Sequence, residues 1–225
     1  MGKPTGLAKE QDRALEQLTT ILDTRLFYLA GGSAVALHLG HRISNDVDLF
    51  SASDKVNLQS LRRRITTKAR AEVVSLSDAS LRLVLESASV DIVKYPYPLL
   101  EPPRSGPHGF PVAGLRDLAA MKLATIAGRG LRRDFWDLFE INRKAIPLAE
   151  AVESYLARFG LGEPDVYHLA RALTYFVDAE RDPLFPLGLT QTKWERIKSF
   201  FRKEAPTLLT KPAPGATSRK SHKTP

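Results

Sequence analysis

The sequence predicts an α+β fold in which a mixed sheet comes first and a set of helices follows. Strand-like runs with alternating or β-branched apolar residues occur only in the first half of the chain. A Pro/Gly-rich stretch at residues 95–111 then marks a change of architecture, and helical apolar spacing dominates after it. We therefore expect a core at residues 1–110, a helical subdomain at 111–205 and a disordered basic tail at 206–225.

Each predicted element rests on its own local pattern. Leu15, Leu18 and Leu22 recur at helical spacing near the N-terminus. In chain order, the first half contains helix 8–24, strand 26–30, helix 34–39, strand 47–50, helix 58–69 and strands 72–76, 81–85 and 90–94. The second half contains helices 115–127, 133–142, 148–159, 166–179 and 193–203. Beyond Pro206 almost nothing is apolar, which predicts disorder.

Composition narrows the class of protein. The chain has 225 residues, of which 43% are hydrophobic, and this suffices for one core with a smaller helical subdomain. It contains no cysteine, so disulfides and thiolate metal sites are excluded and a reducing compartment is the simplest setting. No apolar run approaches the ~20 residues that span a bilayer, and the N-terminus lacks a signal-peptide core. We expect a cytoplasmic protein without a membrane partner.

The charge balance is compatible with a nucleic-acid partner. The formal net charge is +8, and a basic surface attracts nucleic acid through its phosphates. One basic run occupies residues 62–64, and the C-terminal segment adds Lys211, Arg219, Lys220 and Lys223. A soluble basic protein without such a partner has the same composition, so charge alone leaves both interpretations open.

The motif that carries chemistry is Gly31-Gly32-Ser33, followed thirteen residues after the serine by Asp46-Val47-Asp48. A Gly-Ser turn at the start of a helix presents free backbone N–H groups to an anion, although Ser33 is also a typical helix cap. Asp46 and Asp48 share one face of a predicted strand, where two carboxylates repel each other unless a cation lies between them. The alternative is an exposed strand end. Together the two halves of the motif predict a site for nucleotide phosphates and Mg²⁺ (or Mn²⁺).

Asp91 is the candidate for a third carboxylate. It interrupts the apolar run at residues 89–93, where an unpaired charge is costly. On a neighbouring strand it would bind the metal that activates the attacking hydroxyl in a two-metal site. The alternative is an acid on an edge strand that faces water.

Two further candidates lie in the helical half. Lys122 is on the core-facing stripe of helix 115–127, because it follows Leu118 by four residues. It either snorkels from a buried stem or reaches into a cleft and holds a phosphate. Asp134 is either a first-turn acid favoured by the helix dipole or a group that orients Lys122 or a substrate hydroxyl, with Asp137 as the alternative acid.

These segments resemble the AbiEii/AbiGii-type nucleotidyltransferase toxins, a branch of the DNA polymerase β-like nucleotidyltransferase superfamily. The superfamily shares the Gly-Ser and Asp-x-Asp pair found here in residues 28–34 and 40–50. Residues 117–123 and 127–138 match this branch more particularly, and residues 172–180 extend the resemblance. The resemblance covers roughly residues 25–200.

The resemblance implies a polymerase β-like core whose active site is completed by the helical subdomain, in a toxin encoded beside an antitoxin. It implies metal-dependent transfer of a nucleotide from a nucleoside triphosphate (NTP) to an acceptor, with RNA, and the tRNA 3′ end in particular, as the expected acceptor. The implied residues are Gly32, Ser33, Arg42 and Lys122 for the nucleotide; Asp46, Asp48 and Asp91 for the metal; and Asp46, Asp48, Lys122 and Asp134 for catalysis. The third carboxylate is variable in this branch, and the role of Asp134 stays open.

Two other functions stay open on the sequence. The same chemistry could use a protein or small-molecule hydroxyl as its acceptor, although the basic balance argues mildly for RNA. The fold could also be a catalytically silent binding module, against which the intact Asp46, Asp48 and Lys122 argue.

Overall fold

A computed structural model describes residues 7–44 and 46–210, and it confirms the predicted α+β class. The strands are β1 (Tyr28–Leu29), β2 (Asp46–Ser51), β3 (Ala71–Leu76), β4 (Ser80–Leu85) and β5 (Ala88–Lys94). They form one mixed sheet in the order β1-β2-β5-β4-β3. β2 and β5 are parallel, and the other neighbours are antiparallel.

The helices surround this sheet and extend beyond it. They are α1 (Lys9–Thr19), α2 (Gly31–Leu39), α3 (Leu58–Lys68), α4 (Leu115–Arg129), α5 (Arg132–Lys144), α6 (Leu148–Phe159), α7 (Glu163–Ala172), α8 (Val177–Arg181) and α9 (Gln191–Glu204), with short 3-10 turns at Thr24–Leu26, Pro107–Gly109 and Ala205–Leu209. In the described part of the chain, no helix has the length and apolar character needed to cross a membrane.

One hydrophobic core joins the sheet to the helical half. α2 packs against β2 on one side and against α4 and α5 on the other. α4 in turn contacts α5, α6 and α7, so the helical half is attached directly to α2, the helix whose first turn is Gly31-Gly32-Ser33. Buried side chains form one continuous cluster from α1 to the 3-10 turn after α9. This packing fixes the position of α4 and α5 relative to β2.

The predicted helix 166–179 was wrong, because the chain breaks into α7 and α8. Phe176 lies between them and is 95% buried, with its ring centroid 5.1 Å from Phe135 and 5.8 Å from Trp194. A turn at this point lets Phe176 reach the core formed with α5 and α9. Local periodicity carries no information on that long-range contact.

The predicted tail also begins too early. Residues 206–209 belong to the 3-10 turn Ala205–Leu209, because Leu208 packs against the hydrophobic core. Residues 211–225, which hold the remainder of the predicted tail, lie outside the described residues.

Candidate active site

The two strands at the centre of the sheet bring three aspartates to one face. β2 and β5 are parallel, and Asp48 on β2 is the direct cross-strand partner of Asp91 on β5. Because side chains alternate along a strand, Asp46 shares this face with both. Val47 and Leu49 point to the opposite face and are fully buried in the core. Alternation thus sends apolar side chains into the core and the carboxylates of Asp46, Asp48 and Asp91 into one cavity.

Gly31 lets the start of α2 approach these carboxylates. It has φ +63°, and a Cβ atom at this position would lie 2.2 Å from Oδ2 of Asp48. The preceding residue, Ala30, donates its N–H to the Asp48 carbonyl (3.1 Å). The first N–H groups of a helix have no partner within the helix, so the N-terminus of α2 presents hydrogen-bond donors beside Asp48. Both the backbone conformation and the space require glycine here.

We expect Gly31→Ala to abolish nucleotide transfer because the added Cβ displaces the Asp48 carboxylate. Gly40→Ala should leave transfer intact. Gly40 has a similar φ of +57° but no atom within 4 Å of an added Cβ, so it reports the conformational cost alone. That cost is about 1–2 kcal/mol in both variants. Only Gly31→Ala also displaces the Asp48 carboxylate. Chemical denaturation and nucleotide-transfer assays on both variants check this prediction, and equal activity in the two would contradict it.

Ser33, which was predicted to contact the nucleotide, is not brought to the cavity. Its side chain is fully buried, and its hydroxyl donates to the carbonyl of Ala30 (3.2 Å). Gly31 and Gly32 line the cavity instead. In this structure Ser33 closes the turn, and a contact from this residue to an anion would come from its backbone N–H.

Lys122 and Asp137 are the centre of a buried polar cluster beside the cavity. Lys122 Nζ lies 2.8 Å from Asp137 Oδ2 and donates to Asp134 Oδ1 (2.9 Å). Arg42 donates to both oxygens of Asp137, at 2.7 and 2.9 Å, and His41 Nε2 contacts Asp137 Oδ1 at 2.8 Å. The Asp137 carboxylate on α5 thus contacts two cations and an imidazole that come from α4 and from the segment after α2. Lys122, Arg42 and Asp134 line the cavity.

The cluster keeps its charges despite its burial. Burial opposes ionisation of Asp137, but Lys122 and Arg42 outweigh it and hold the pKa of the carboxyl far below its usual range. Burial also disfavours the Lys122 ammonium, but Asp134 and Asp137 outweigh it and raise its pKa. Lys122 is thus a fixed cation with its stem in the core and its ammonium at the cavity. The buried stem of the first alternative and the reach into a cleft of the second are both present.

The β2 carboxylates, in contrast, are poorly compensated. Burial, and then the charge of Asp46, raise the pKa of Asp48 to about 6. The nearest cation to Asp46 in an ion pair is Arg133, whose Nη1 lies 4.0 Å from Oδ2. A carboxylate that is hard to ionise alone is stabilised when a cation is bound beside it.

Asp91 already has a partner. Arg82 on β4 is its cross-strand neighbour and donates to both carboxylate oxygens, at 2.7 and 2.8 Å. The Asp91 side chain is 18% exposed and that of Arg82 is 55% exposed. The acid thus neither stands unpaired nor lies on an edge strand, since β5 is between β2 and β4.

These groups surround a single cavity of about 600 Å³. Its floor is formed by Gly31, Gly32 and the three sheet aspartates, and its sides carry Arg42, Lys122 and Arg133. A further wall is formed by residues 182 and 184–187, which belong to the segment that connects α8 to α9. The volume falls within the range of ordinary small-molecule sites.

The donor groups fit a divalent metal that arrives with its substrate. Among residues 7–44 and 46–210, no three histidine or acidic side chains are arranged to hold a metal by themselves. Asp46 and Asp48 supply hard oxygen donors, and Mg²⁺ is commonly bound by one or two carboxylates together with substrate phosphates. The weak charge compensation of Asp48, whose pKa is raised by burial and by Asp46, fits the same ion.

Sequence reasoning missed part of this site. Asp137 was considered only as an alternative to Asp134, although its position inside the buried run of α5 is itself a signal for a paired charge. Arg82 and Arg133 had no predicted role in the site, although Arg133 lies in a segment that matches the family, and their places in the site depend on the strand register and on the packing of α5. The wall at residues 182–187 carries no recognisable motif.

Comparison with known proteins agrees with this geometry. A family model described as "Nucleotidyl transferase AbiEii toxin, Type IV TA system" matches residues 13–216. The uncharacterized protein aq_aa25 of Aquifex aeolicus (strain VF5) is 32% identical over 205 residues, which cover 90% of this chain and 98% of that protein.

Two solved structures match most of the length of the chain. The nucleotidyltransferase toxin MenT4 (Rv2826c) of Mycobacterium tuberculosis H37Rv has a TM-score of 0.64 at 18% identity, covering 90% of this chain and 82% of that one. The antibiotic-resistance factor ANT(2″)-Ia has a TM-score of 0.37 at 15% identity, covering 88% and 94%. The MenT4 match concerns the fold, and the family match carries the assignment. The chain belongs to the AbiEii nucleotidyl transferase toxin family of type IV toxin–antitoxin systems and is a nucleotidyltransferase.

Proposed function

We propose that this nucleotidyltransferase uses a divalent metal to transfer a nucleotide from an NTP to RNA, with the 3′ end of tRNA as the expected acceptor. One observation carries the proposal: the start of α2, the β2 carboxylates and the Lys122–Arg42 pair all face a single cavity. Nucleotidyl transfer needs hydrogen-bond donors for the triphosphate, oxygen ligands for the metal and cations for the phosphate charge, and this cavity brings all three together. A cognate antitoxin would neutralise the activity, and the reaction would take place in the cytoplasm, where these substrates occur.

The proposed step balances as an ordinary nucleotidyl transfer. An acceptor hydroxyl oxygen forms a bond to the α-phosphorus, the bond from that phosphorus to the bridging oxygen breaks, and pyrophosphate leaves. The hydroxyl proton passes to a carboxylate of the site or to water. When bound, the metal neutralises phosphate charge and lowers the pKa of the attacking hydroxyl.

The residues of the chain would hold and orient the reactants. Asp46 and Asp48 are the proposed metal ligands, and the N-terminus of α2 at Gly32 would donate N–H groups to the phosphates. Arg42 and Lys122 would neutralise phosphate charge from a position fixed by Asp137. Asp134 would orient Lys122, to which it is hydrogen-bonded. Fixed cations need no reorganisation during the reaction, which lowers its barrier.

The acceptor class is tested by comparing transfer to RNA with transfer to protein in the same assay. Total RNA and total protein from the same cells are incubated with the purified enzyme, Mg²⁺ and each of the four α-labelled NTPs. We expect label in RNA of tRNA size with at least one NTP, and none in protein. Label in protein alone would show that the acceptor is a protein and would contradict the RNA proposal. No transfer to either fraction would favour a catalytically silent module or a small-molecule acceptor.

Asp91 is the proposed third metal ligand, and its bond to Arg82 gives a sharp test. If Asp91 binds metal, Arg82 competes for the same carboxylate. Arg82→Met should then lower the Mg²⁺ concentration needed for half-maximal activity several-fold, and Asp91→Asn should raise it, since each lost ligand weakens the site. An unchanged Mg²⁺ dependence in both variants would make the pair a structural contact only.

The C-terminal segment provides a test for RNA affinity. It holds Lys211, Arg219, Lys220 and Lys223, and a deletion of residues 211–225 leaves the packed Leu208 in place. Each phosphate contact contributes about −0.7 to the log–log salt slope on a single strand. We expect the deletion to weaken RNA binding and flatten its salt dependence while NTP affinity is unchanged. If the deletion leaves the RNA affinity and its salt slope unchanged, the segment does not contact RNA phosphates.

A further inference from the structure

The cavity wall at residues 182 and 184–187 is unusually apolar for a surface segment. Leu184, Phe185 and Leu187 are 69%, 42% and 87% exposed, and all three line the cavity that also contains Asp46 and Asp48. Single exposed apolar side chains need no explanation, but several at the mouth of a polar cavity mark a ligand surface. The backbone N–H groups, carboxylates and cations of this cavity can bind metal-bound phosphates. The apolar wall can bind a group without charge.

The wall is held in place by the same helix that contacts the carboxylates. Arg132 donates to the carbonyls of Asp182 (2.6 Å) and Glu180 (3.0 Å), and its guanidinium carbon lies 4.9 Å from the centre of the Phe185 ring. The next residue of α5, Arg133, faces Asp46. The start of α5 therefore fixes the wall relative to the proposed metal ligands.

The base of the wall is anchored in the core. Leu189 is buried and donates its N–H to the carbonyl of Pro186 (3.0 Å), while the Leu184 N–H donates to the side chain of Asp182 (3.0 Å). The apolar side chains are thus exposed on an ordered turn. An ordered apolar surface loses little conformational entropy when a flat ligand binds to it.

We propose that Leu184, Phe185 and Leu187 form a binding wall for the base of a nucleotide whose phosphates lie at the floor of the cavity. This proposal rests on the proposed function and names the part of the substrate that the wall would recognise. Every nucleobase has an apolar π-face, and contact with aromatic or apolar side chains holds it without sequence choice. The base could belong to the NTP or to the acceptor end of the RNA, and both present the same chemistry.

The test separates the base from the phosphates. Binding of ATP, CTP, GTP, UTP and inorganic tripolyphosphate, each with Mg²⁺, is measured by calorimetry for the wild type, Phe185→Ala and the double variant Leu184→Ser/Leu187→Ser. Tyr167→Ala is the matched control, because Tyr167 is 57% exposed on α7 and does not line the cavity. The double variant keeps the Arg132–Phe185 contact, and its two leucines are mostly exposed, so the fold is retained.

If the wall holds the base of the NTP, we expect at least one NTP to lose about 5- to 100-fold in affinity, with tripolyphosphate unchanged. If it holds the base of the acceptor, NTP affinity stays and the KM for tRNA rises by a similar factor. A parallel loss of tripolyphosphate affinity, or no change in either measurement, would overturn the proposal. The binding arm needs no turnover, so it gives a result even if the enzyme transfers nothing to RNA.

Discussion

Asp48→Asn is expected to lower nucleotide transfer by about 10³-fold or more. Asp48 is one of the two proposed metal ligands on β2, and its carboxylate touches the start of α2 through the space left by Gly31. The metal that Asp46 and Asp48 would hold would supply several kcal/mol of transition-state stabilisation, which corresponds to this factor in rate. Transfer is measured at matched Mg²⁺ with Asp54→Asn, an exposed acid after β2, as the control. Wild-type turnover of Asp48→Asn would contradict the metal assignment.

The same variant should be more stable than the wild type when metal is absent. Burial and Asp46 raise the pKa of Asp48 to about 6, above its value in the unfolded chain, so its charge destabilises the fold at pH 8. The contribution of Asp48 to the stability of the wild type, measured relative to Asp48→Asn, should therefore rise as the pH falls from about 6 toward about 4, the ordinary pKa of an unfolded aspartate. Thermal melts of the metal-free proteins at pH 8 and pH 4 measure the difference.

Asp137→Asn is expected to destabilise the protein by about 3–5 kcal/mol, because it removes the acid that pairs with two buried cations. Lys122 would keep Asp134, whereas Arg42 would lose the carboxylate that accepts two of its hydrogen bonds. Asp23→Asn is the control, since it breaks an exposed ion pair with Arg25 and should have a much smaller effect. Urea denaturation at pH 7 measures both.

The pH dependence of Asp137→Asn has the opposite sign to that of Asp48→Asn. The pKa of Asp137 is far below that of an unfolded aspartate, so its stabilisation is complete above about pH 4 and decreases only at lower pH. The deficit of the variant should thus be constant from pH 7 to pH 5. A deficit below 1 kcal/mol would show that Asp137 does not organise Lys122 and Arg42.

The site was predictable where it depends on local pattern. Asp46 and Asp48 share a face because side chains alternate along β2, and this alternation is visible in the sequence. Lys122 lies on a buried stripe because it follows Leu118 by four residues, which places both side chains on the same face of α4. Boundaries such as Gly40 also follow from local chemistry, since it has the positive φ of a helix C-cap.

The rest depends on contacts between distant parts of the chain. Asp137 is separated by 95 residues from Arg42, which it binds, and no local pattern joins them. The Arg82–Asp91 pair needs the antiparallel register of β4 and β5, which the sequence does not specify. Ser33 was predicted to face the nucleotide, but its side chain is turned inward to the Ala30 carbonyl. These features follow from packing, so only the structure could supply them.

The position of the label in the product tests the central claim most directly. Purified enzyme is incubated with tRNA, Mg²⁺ and an NTP that carries its label on either the α- or the γ-phosphate, and Asp48→Asn is run beside the wild type. Nucleotidyl transfer to RNA predicts that the wild type labels the tRNA from the α-position only, and that Asp48→Asn labels it from neither. Label from the γ-position, or equal α-label with Asp48→Asn, would contradict a nucleotidyl transfer that depends on the β2 carboxylates.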